Sequence, residues 1–351
     1  MLYTLYYVHT VGWIAREDSE YTMFQPPAVL FDPTAINQTS IFVAISSFRD
    51  KLCPITLVNM FTKATNPRRI TAAVVQQNVP GDLDCLEEYC TLMFLRAHPS
   101  ANRDSLPPLA DLLTSCPFST NILMNRLDGR TARGPTWARS YGSKMVGDQE
   151  FCLQTDSHMD FAYEWDTSMI DMWASTQNEY AVLSTYVTDS GDYDNIKDKS
   201  KGINGLHEVP NLCIVRFHGT GGMPRNFGTK CLRSFPRPKL TMTWGAGLSF
   251  SKCHAEKKVP YDPFTPGIFD GEEVRKGGVT LTLFCLPFVA LSLSCSFFCC
   301  SLPLYALSLS YIAFPQWSRA ARYWTWGYDI YTPNKIFISH NYKKSQVFIL
   351  I

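Results

Sequence analysis

Two apolar runs, IFVAISSF (41–48) and RITAAVVQQ (69–77), stand on either side of a helix-compatible segment from Pro54 to Thr65. Neither run alternates apolar with polar residues, so each predicts a strand covered on both faces rather than one that faces water. Strand, helix and strand in that order make a βαβ unit, and a βαβ unit commits the chain to a parallel sheet flanked by helices. The same texture returns further on. NILMNRL (121–127) continues the alternation, WARSYGSKMV (137–146) is helix-like, and FCLQT (151–155) is a strand ending on Asp156. EWDTSMIDMWAS (164–175) fits an amphipathic helix, and AVLSTYV (181–187), LCIVRF (212–217) and MTWGAGLSF (242–250) read as strands. Residues 78–120, with Pro80, Pro99, Pro107, Pro108 and Pro117, read as a long excursion from the sheet. The expectation is an α/β fold with a mostly parallel sheet, preceded by an N-terminal extension over residues 1–37.

Charge narrows the class of partner. Lysine plus arginine (32) nearly equals aspartate plus glutamate (31), so no global field favours nucleic acid or an anionic membrane. Four of the 12 cysteines, Cys285, Cys295, Cys299 and Cys300, fall in one late apolar run, and the others are scattered without C-x-x-C or zinc spacing. They read as buried free thiols of a reducing compartment. The first residues, MLYTLYYVHTVGWIAREDSEY, have no basic stretch leading into a long apolar core, so no signal peptide is expected.

The sharpest chemical pattern is LQTDSHMDF (153–161), where an apolar strand delivers Asp156, Ser157 and His158 to its carboxyl end. That edge is where open α/β sheets bind ligands. A carboxylate and an imidazole two residues apart can turn toward one divalent cation, the oxygen suiting a hard ion and the nitrogen admitting a borderline one such as manganese. The triplet alone also fits a turn or a helix cap. Just upstream, ARGPTWARS (132–140) carries Arg133 and Arg139, planar donors that suit diphosphate oxygens, or equally surface charge on a helix.

The stretches IFVAISSFRDKLCPITL, VVQQN, ARGPTWARS, FCLQTDSHMDF, EWD, VLSTY, PRP, TWGAGLSFS, VPYDPFTPGIFDGEE and WTWGYDIYTPN occur in this order between Ile41 and Tyr342. In this order they resemble glycosyltransferase family 60, the GlcNAc-transferases that modify hydroxyproline on the adaptor of cytosolic SCF ubiquitin ligases. The order is also similar to that of the polypeptide GalNAc-transferases. The resemblance implies a GT-A fold and transfer of GlcNAc from UDP-GlcNAc, with retention, to a protein hydroxyl. The acceptor would be a hydroxyproline of a cytosolic adaptor, or Ser/Thr in the secretory branch. It further implies a divalent metal, Mn2+ or Mg2+, on Asp156, His158 and His340, the last in FISHNY. Ser46, Ser47 and Arg49 fall where uracil and ribose are expected, although turn-forming serines fit the same positions. Asp270, Glu272 and Glu273 fall where donor-sugar hydroxyls and the anomeric carbon lie, or form an acidic helix start. Trp244 and Gly245 fall where backbone approaches the sugar, with a buried structural tryptophan as the alternative. The absence of an N-terminal anchor leans cytoplasmic, with the Golgi or another membrane as the alternative.

One segment departs from the family pattern. From Val279 to Ser318 no residue is charged, and the run is mostly Leu, Ser, Phe and Cys. In the family GEE runs directly into the helix that here begins at Trp317, and removing residues 274–316 restores GEEWSRAARYWTWGYD. Val274-Arg275 can encode a splice donor, Gln316 an acceptor, and the residues between them admit pyrimidine-rich codons. The segment therefore reads as a translated intron dividing a catalytic domain into 38–273 and 317–351. The alternative is a transmembrane segment, which Pro287, Pro303 and the many serines make a poor span. On that alternative the chain is a non-catalytic membrane or scaffold protein with a transferase-like body.

Overall fold

The computed structural model describes residues 32–190, 208–218, 223–233, 235–261, 263 and 314–341. The acids Asp270, Glu272 and Glu273, residues 274–313 of the apolar segment, and the two termini lie outside them. Along the chain run β1 (Ile41–Phe48), α1 (Cys53–Lys63), β2 (Ile70–Asn78), α2 (Cys85–Ala97), α3 (Leu109–Ser115) and β3 (Ile122–Asp128). Then come α4 (Pro135–Ser143), β4 (Phe151–Asp156), β5 (Met159–Phe161), α5 (Trp165–Ala174), β6 (Ala181–Ser184) and β7 (Thr188–Asp189). The last part holds β8 (Glu208–His218), β9 (Met223–Arg233), β10 (Lys239–Leu240), β11 (Leu248–Lys252), α6 (Cys253–Lys258), α7 (Phe314–Thr325), β12 (Asp329–Thr332) and β13 (Ile338–His340).

Among the described residues, eight strands form one sheet in the order β10-β12-β6-β11-β4-β1-β2-β3. Strands β4, β1, β2 and β3 are parallel, as are β6 and β12, while β11 runs antiparallel to both its neighbours. β1 shows why its sequence is apolar throughout. Ile41, Val43 and Ile45 join the main core on one face, with Leu57 and Met60 of α1, and Phe42 and Ala44 pack on the other with Ala73 and Cys152. Both faces are covered, so both residue parities are apolar.

The excursion at 78–120 leaves the sheet as expected, while the run 242–250 differs from the sequence expectation. The excursion at 78–120 contains α2 and α3. Pro99, Pro107, Pro108 and Pro117 stand at helix boundaries and Pro80 in the turn after β2, and Asp84 caps α2 by accepting from the backbone of Leu86 and Glu87. The run MTWGAGLSF is a strand only from Leu248, because Met242–Gly247 forms a loop that buries Trp244.

For six of the cysteines the expectation of free thiols is overturned. Disulfides join Cys53 to Cys85, Cys90 to Cys116 and Cys152 to Cys253. The first ties the start of α1 to the start of α2, and the third ties β4 to the start of α6.

A buried ion pair anchors the lead-in to β1. Asp166 accepts from Arg69 Nη2 at 2.7 Å and from the backbone of Thr65 and Asn66 at 2.7 and 3.1 Å. Arg69 Nη1 donates in turn to the carbonyls of Ile36 and Thr39.

α7, on the far side of the apolar segment, docks on the same body. Arg319 is buried against Glu256 of α6 at 2.6 Å, and Arg322 donates to the carbonyl of Pro260 at 2.7 Å. Trp324 stays half exposed. The helix starts at Phe314, so the last residues of the assigned insert belong to it. None of the described helices is long and apolar enough to cross a membrane.

Candidate metal centre

β4 ends at Asp156, which stands in register with Ser46 near the end of β1. The chain then turns through Ser157 and His158 into β5. That turn is gripped from α1. Thr56, itself buried, accepts from the Met159 N–H at 2.9 Å and donates to the Ser157 carbonyl at 2.8 Å. β5 belongs to a second small sheet, β5-β13-β7, in which His340 pairs with Met159. A residue 182 positions away is thereby set beside His158.

The donor atoms of Asp156, His158 and His340 lie within 4.8 Å of one another. The two imidazole Nε2 atoms face each other at 2.8 Å with perpendicular rings, and His340 Nε2 stands 3.6 Å from Asp156 Oδ2. Two facing nitrogens cannot both present lone pairs to each other without repulsion. Either a proton lies between them or both are directed at a cation. One carboxylate oxygen and two imidazole nitrogens fit a divalent ion of intermediate hardness.

The site's charges are balanced by neighbours. Burial alone would raise the Asp156 carboxyl, but the hydrogen bond from His340 and the charges of Arg139 and His158 hold it well below the usual carboxylate range. Burial would likewise lower His158, yet its hydrogen bond to Asp50 and the charges of Asp156 and Asp50 raise it above the ordinary histidine value. Arg139, on α4, donates to Asp156 Oδ1 at 2.8 Å.

The other sequence candidates divide. Ser46 is half-buried at the sheet edge beside Asp156, and Ser47 is fully buried. Arg49 is turned away onto Asp82, making bonds of 2.9 and 3.2 Å, so its guanidinium pins the turn after β2. Arg133 is exposed ahead of α4. Trp244 is buried, donating to Ser249 Oγ at 3.0 Å with the Arg319 guanidinium 5.1 Å from its ring. Its side chain therefore serves the core. A Cβ on Gly245 would meet Leu212 at 3.0 Å, so that glycine allows close packing. Gly247 lies nearer the site, where a Cβ would stand 3.7 Å from Asp156 Oδ2.

Two contributors escape the sequence reading, Asp50 and Thr56. Asp50 follows β1 and accepts from His158 Nδ1 at 2.7 Å and from Ser157 Oγ at 2.5 Å. The signal available was position alone: Asp50 lies just past the carboxyl end of β1, where ligands gather, and Thr56 stands in the first turn of the helix that follows.

Among solved structures the chain is similar to GalNAc-T7 with UDP, GalNAc and Mn2+, at TM-score 0.48 and 12% identity, covering 86% of this chain and 43% of that one. It is also similar to the mannosyltransferase PcManGT from Pyrobaculum calidifontis in complex with GDP-Man and Mn2+, at TM-score 0.33 and 12% identity, covering 74% and 54%. A third is S. aureus TarS 1–349, at TM-score 0.33 and 12% identity, covering 62% and 48%. The chain thus spans about half, or less, of each of these proteins. No curated protein sequence matches it. The family model described as Glycosyltransferase (GlcNAc) matches residues 40–278, more than half of the sequence, and the chain belongs to that family.

Proposed function

We propose that the protein transfers GlcNAc from UDP-GlcNAc to a protein hydroxyl, with retention, on a GT-A-type fold that uses a divalent metal. The observation that carries this reading is the convergence of Asp156, His158 and His340 at the carboxyl end of β4. When bound, a Mn2+ or Mg2+ ion there neutralises charge on the diphosphate of the leaving UDP. The protein's own groups do the rest. Asp156, kept ionised by its neighbours, supplies a permanent negative donor. Arg139 fixes that carboxylate from one side and leaves the other oxygen toward His340. Ser46, paired with Asp156 on the adjoining strand, is assigned to the nucleoside. Asp270, Glu272 and Glu273 are assigned to the donor sugar and the region of its anomeric carbon, and no nucleophile is assigned.

The disulfides favour one acceptor over the other. Three such bonds persist in oxidising compartments and rarely in the cytosol. They support a secretory setting and a Ser/Thr hydroxyl, against the cytoplasmic adaptor hydroxyproline. The test has two parts. Release of UDP from UDP-GlcNAc should require Mn2+ and stop with a chelator. Non-reducing peptide mapping should recover the three disulfide-linked pairs from natively expressed protein. Metal-independent turnover would remove the centre from the reaction, and free thiols throughout would return the acceptor to the cytosol.

A further inference from the structure

We propose that Asp50 is a positioning residue of the metal centre, one that fixes the tautomer and orientation of His158. The inference rests on the reading of Asp156, His158 and His340 as metal ligands.

Asp50 touches no donor atom of that trio but controls one of them. Its Oδ2 receives the Nδ1 edge of His158 at 2.7 Å and the Ser157 hydroxyl at 2.5 Å, while Oδ1 receives the Leu52 N–H at 2.8 Å. A carboxylate only accepts, so His158 must carry its proton on Nδ1. In the neutral ring the lone pair is then on Nε2, the atom that faces His340. The ring gains a second constraint, because Ser157 is bonded to the same oxygen and Thr56 holds the backbone on either side.

Asp50 is itself well held. Arg49 before it adopts a left-handed backbone (φ 51°) and donates its N–H to the Gln77 carbonyl, while its side chain grips Asp82. The turn from β1 into α1 is thus fixed at the sheet edge before any metal arrives. A carboxylate behind a ligating histidine orients the ring and raises its basicity, and losing one commonly costs 10–100-fold in metal affinity. A plain helix-start turn would need only the bond from Leu52. The bonds to Ser157 and His158 are the ones it leaves unexplained.

The test uses the whole protein stripped with chelator, titrated with Mn2+ alone and followed by the loss of the free-ion electron paramagnetic resonance signal. Asp50→Ala should bind Mn2+ about 10–100-fold more weakly, with its circular dichroism unchanged, and Asp50→Glu should recover part of the loss. In the unmutated protein at mildly alkaline pH, nitrogen-15 spectra should show His158 protonated on Nδ1. This readout does not depend on any variant folding. Parent-like Mn2+ binding by Asp50→Ala, or an Nε2-protonated His158, would overturn the assignment of Asp50 while leaving the metal centre standing. If the unmutated protein and His158→Ala alike bind no Mn2+, the metal centre itself is wrong and Asp50 falls with it.

Discussion

Arg139 and Asp156 meet at 2.8 Å between α4 and the end of β4, with both side chains largely withdrawn from water. One carboxylate oxygen is engaged by the guanidinium and the other stands toward His340. Arg139→Ala should weaken Mn2+-dependent UDP binding about 10–100-fold, the loss expected when a charge-assisted hydrogen bond of about 1.5–3 kcal/mol disappears. Arg139→Lys should recover only part of it, because the planar fork is gone. Calorimetric titration with UDP and Mn2+ measures both. Unchanged binding would leave Arg139 a structural partner of Asp156 alone.

Asp156→Asn and His158→Ala should each abolish metal-dependent UDP binding without unfolding the sheet, since Asp156 stands on the last rung between β1 and β4 and His158 lies beyond it. His340→Ala should weaken Mn2+ binding by a smaller factor, because it leaves in place the Asp156 carboxylate and the His158 imidazole that Asp50 holds. Parent-like binding by either of the first two would show that the centre is elsewhere. An unaltered manganese requirement in the third would make His340 a packing residue.

Asp166 sets a pH limit on stability. Burial opposes its charge, but bonds from Thr65, Asn66 and Arg69 outweigh that and hold its carboxyl below the usual value. A depressed carboxylate stabilises the fold above its unfolded pKa, near 4, and that share is lost as pH falls through the lower folded value. Asp166→Asn should cost about 3–5 kcal/mol at neutral pH, since it leaves the Arg69 charge buried without its partner. The penalty should shrink as pH drops below about 4, where the parent also loses the ionised form. Urea unfolding at pH 7 and pH 3 gives the comparison, and an equal penalty at both would contradict it.

Joining Glu273 directly to Trp317 should give a soluble protein that turns over UDP-GlcNAc with Mn2+. The shortened helix keeps Arg319 on Glu256 and Arg322 on Pro260, the two contacts that dock α7. The full-length chain carries an uncharged run from Val279 to Ser318 and should need detergent. A soluble, active full-length chain beside a joined chain that does not fold would establish the segment as a genuine structural element.

What the sequence disclosed follows from how local each signal was. β1 and β2 announced themselves because both their faces are buried, and Asp156 with His158 because two donors lay on one strand end. His340 came only through family resemblance, since β13 reaches β5 from far along the chain. Asp50 and Thr56 were invisible for the same reason: their partners lie more than 100 positions away. Cysteine spacing hid the disulfides, whose members stand 26 to 101 residues apart at the ends of different elements. Arg49 and Trp244 were candidates through the family resemblance, and the Arg49 side chain is engaged by Asp82 while the Trp244 ring packs in the core, the alternative its sequence position also allowed.

The bonds from Arg69 to the carbonyls of Ile36 and Thr39 also bear on where the molecule can be trimmed. A truncation starting at residue 38, where the catalytic domain is drawn from sequence, would delete one acceptor of a guanidinium that has almost no access to water. Asp32 lies a little upstream and receives both the backbone N–H and the hydroxyl of Thr34, closing the turn that leads to Ile36. A shortened version made for crystallisation should therefore begin before Asp32, and every residue removed beyond that point exchanges convenience for a buried charge left short of a partner.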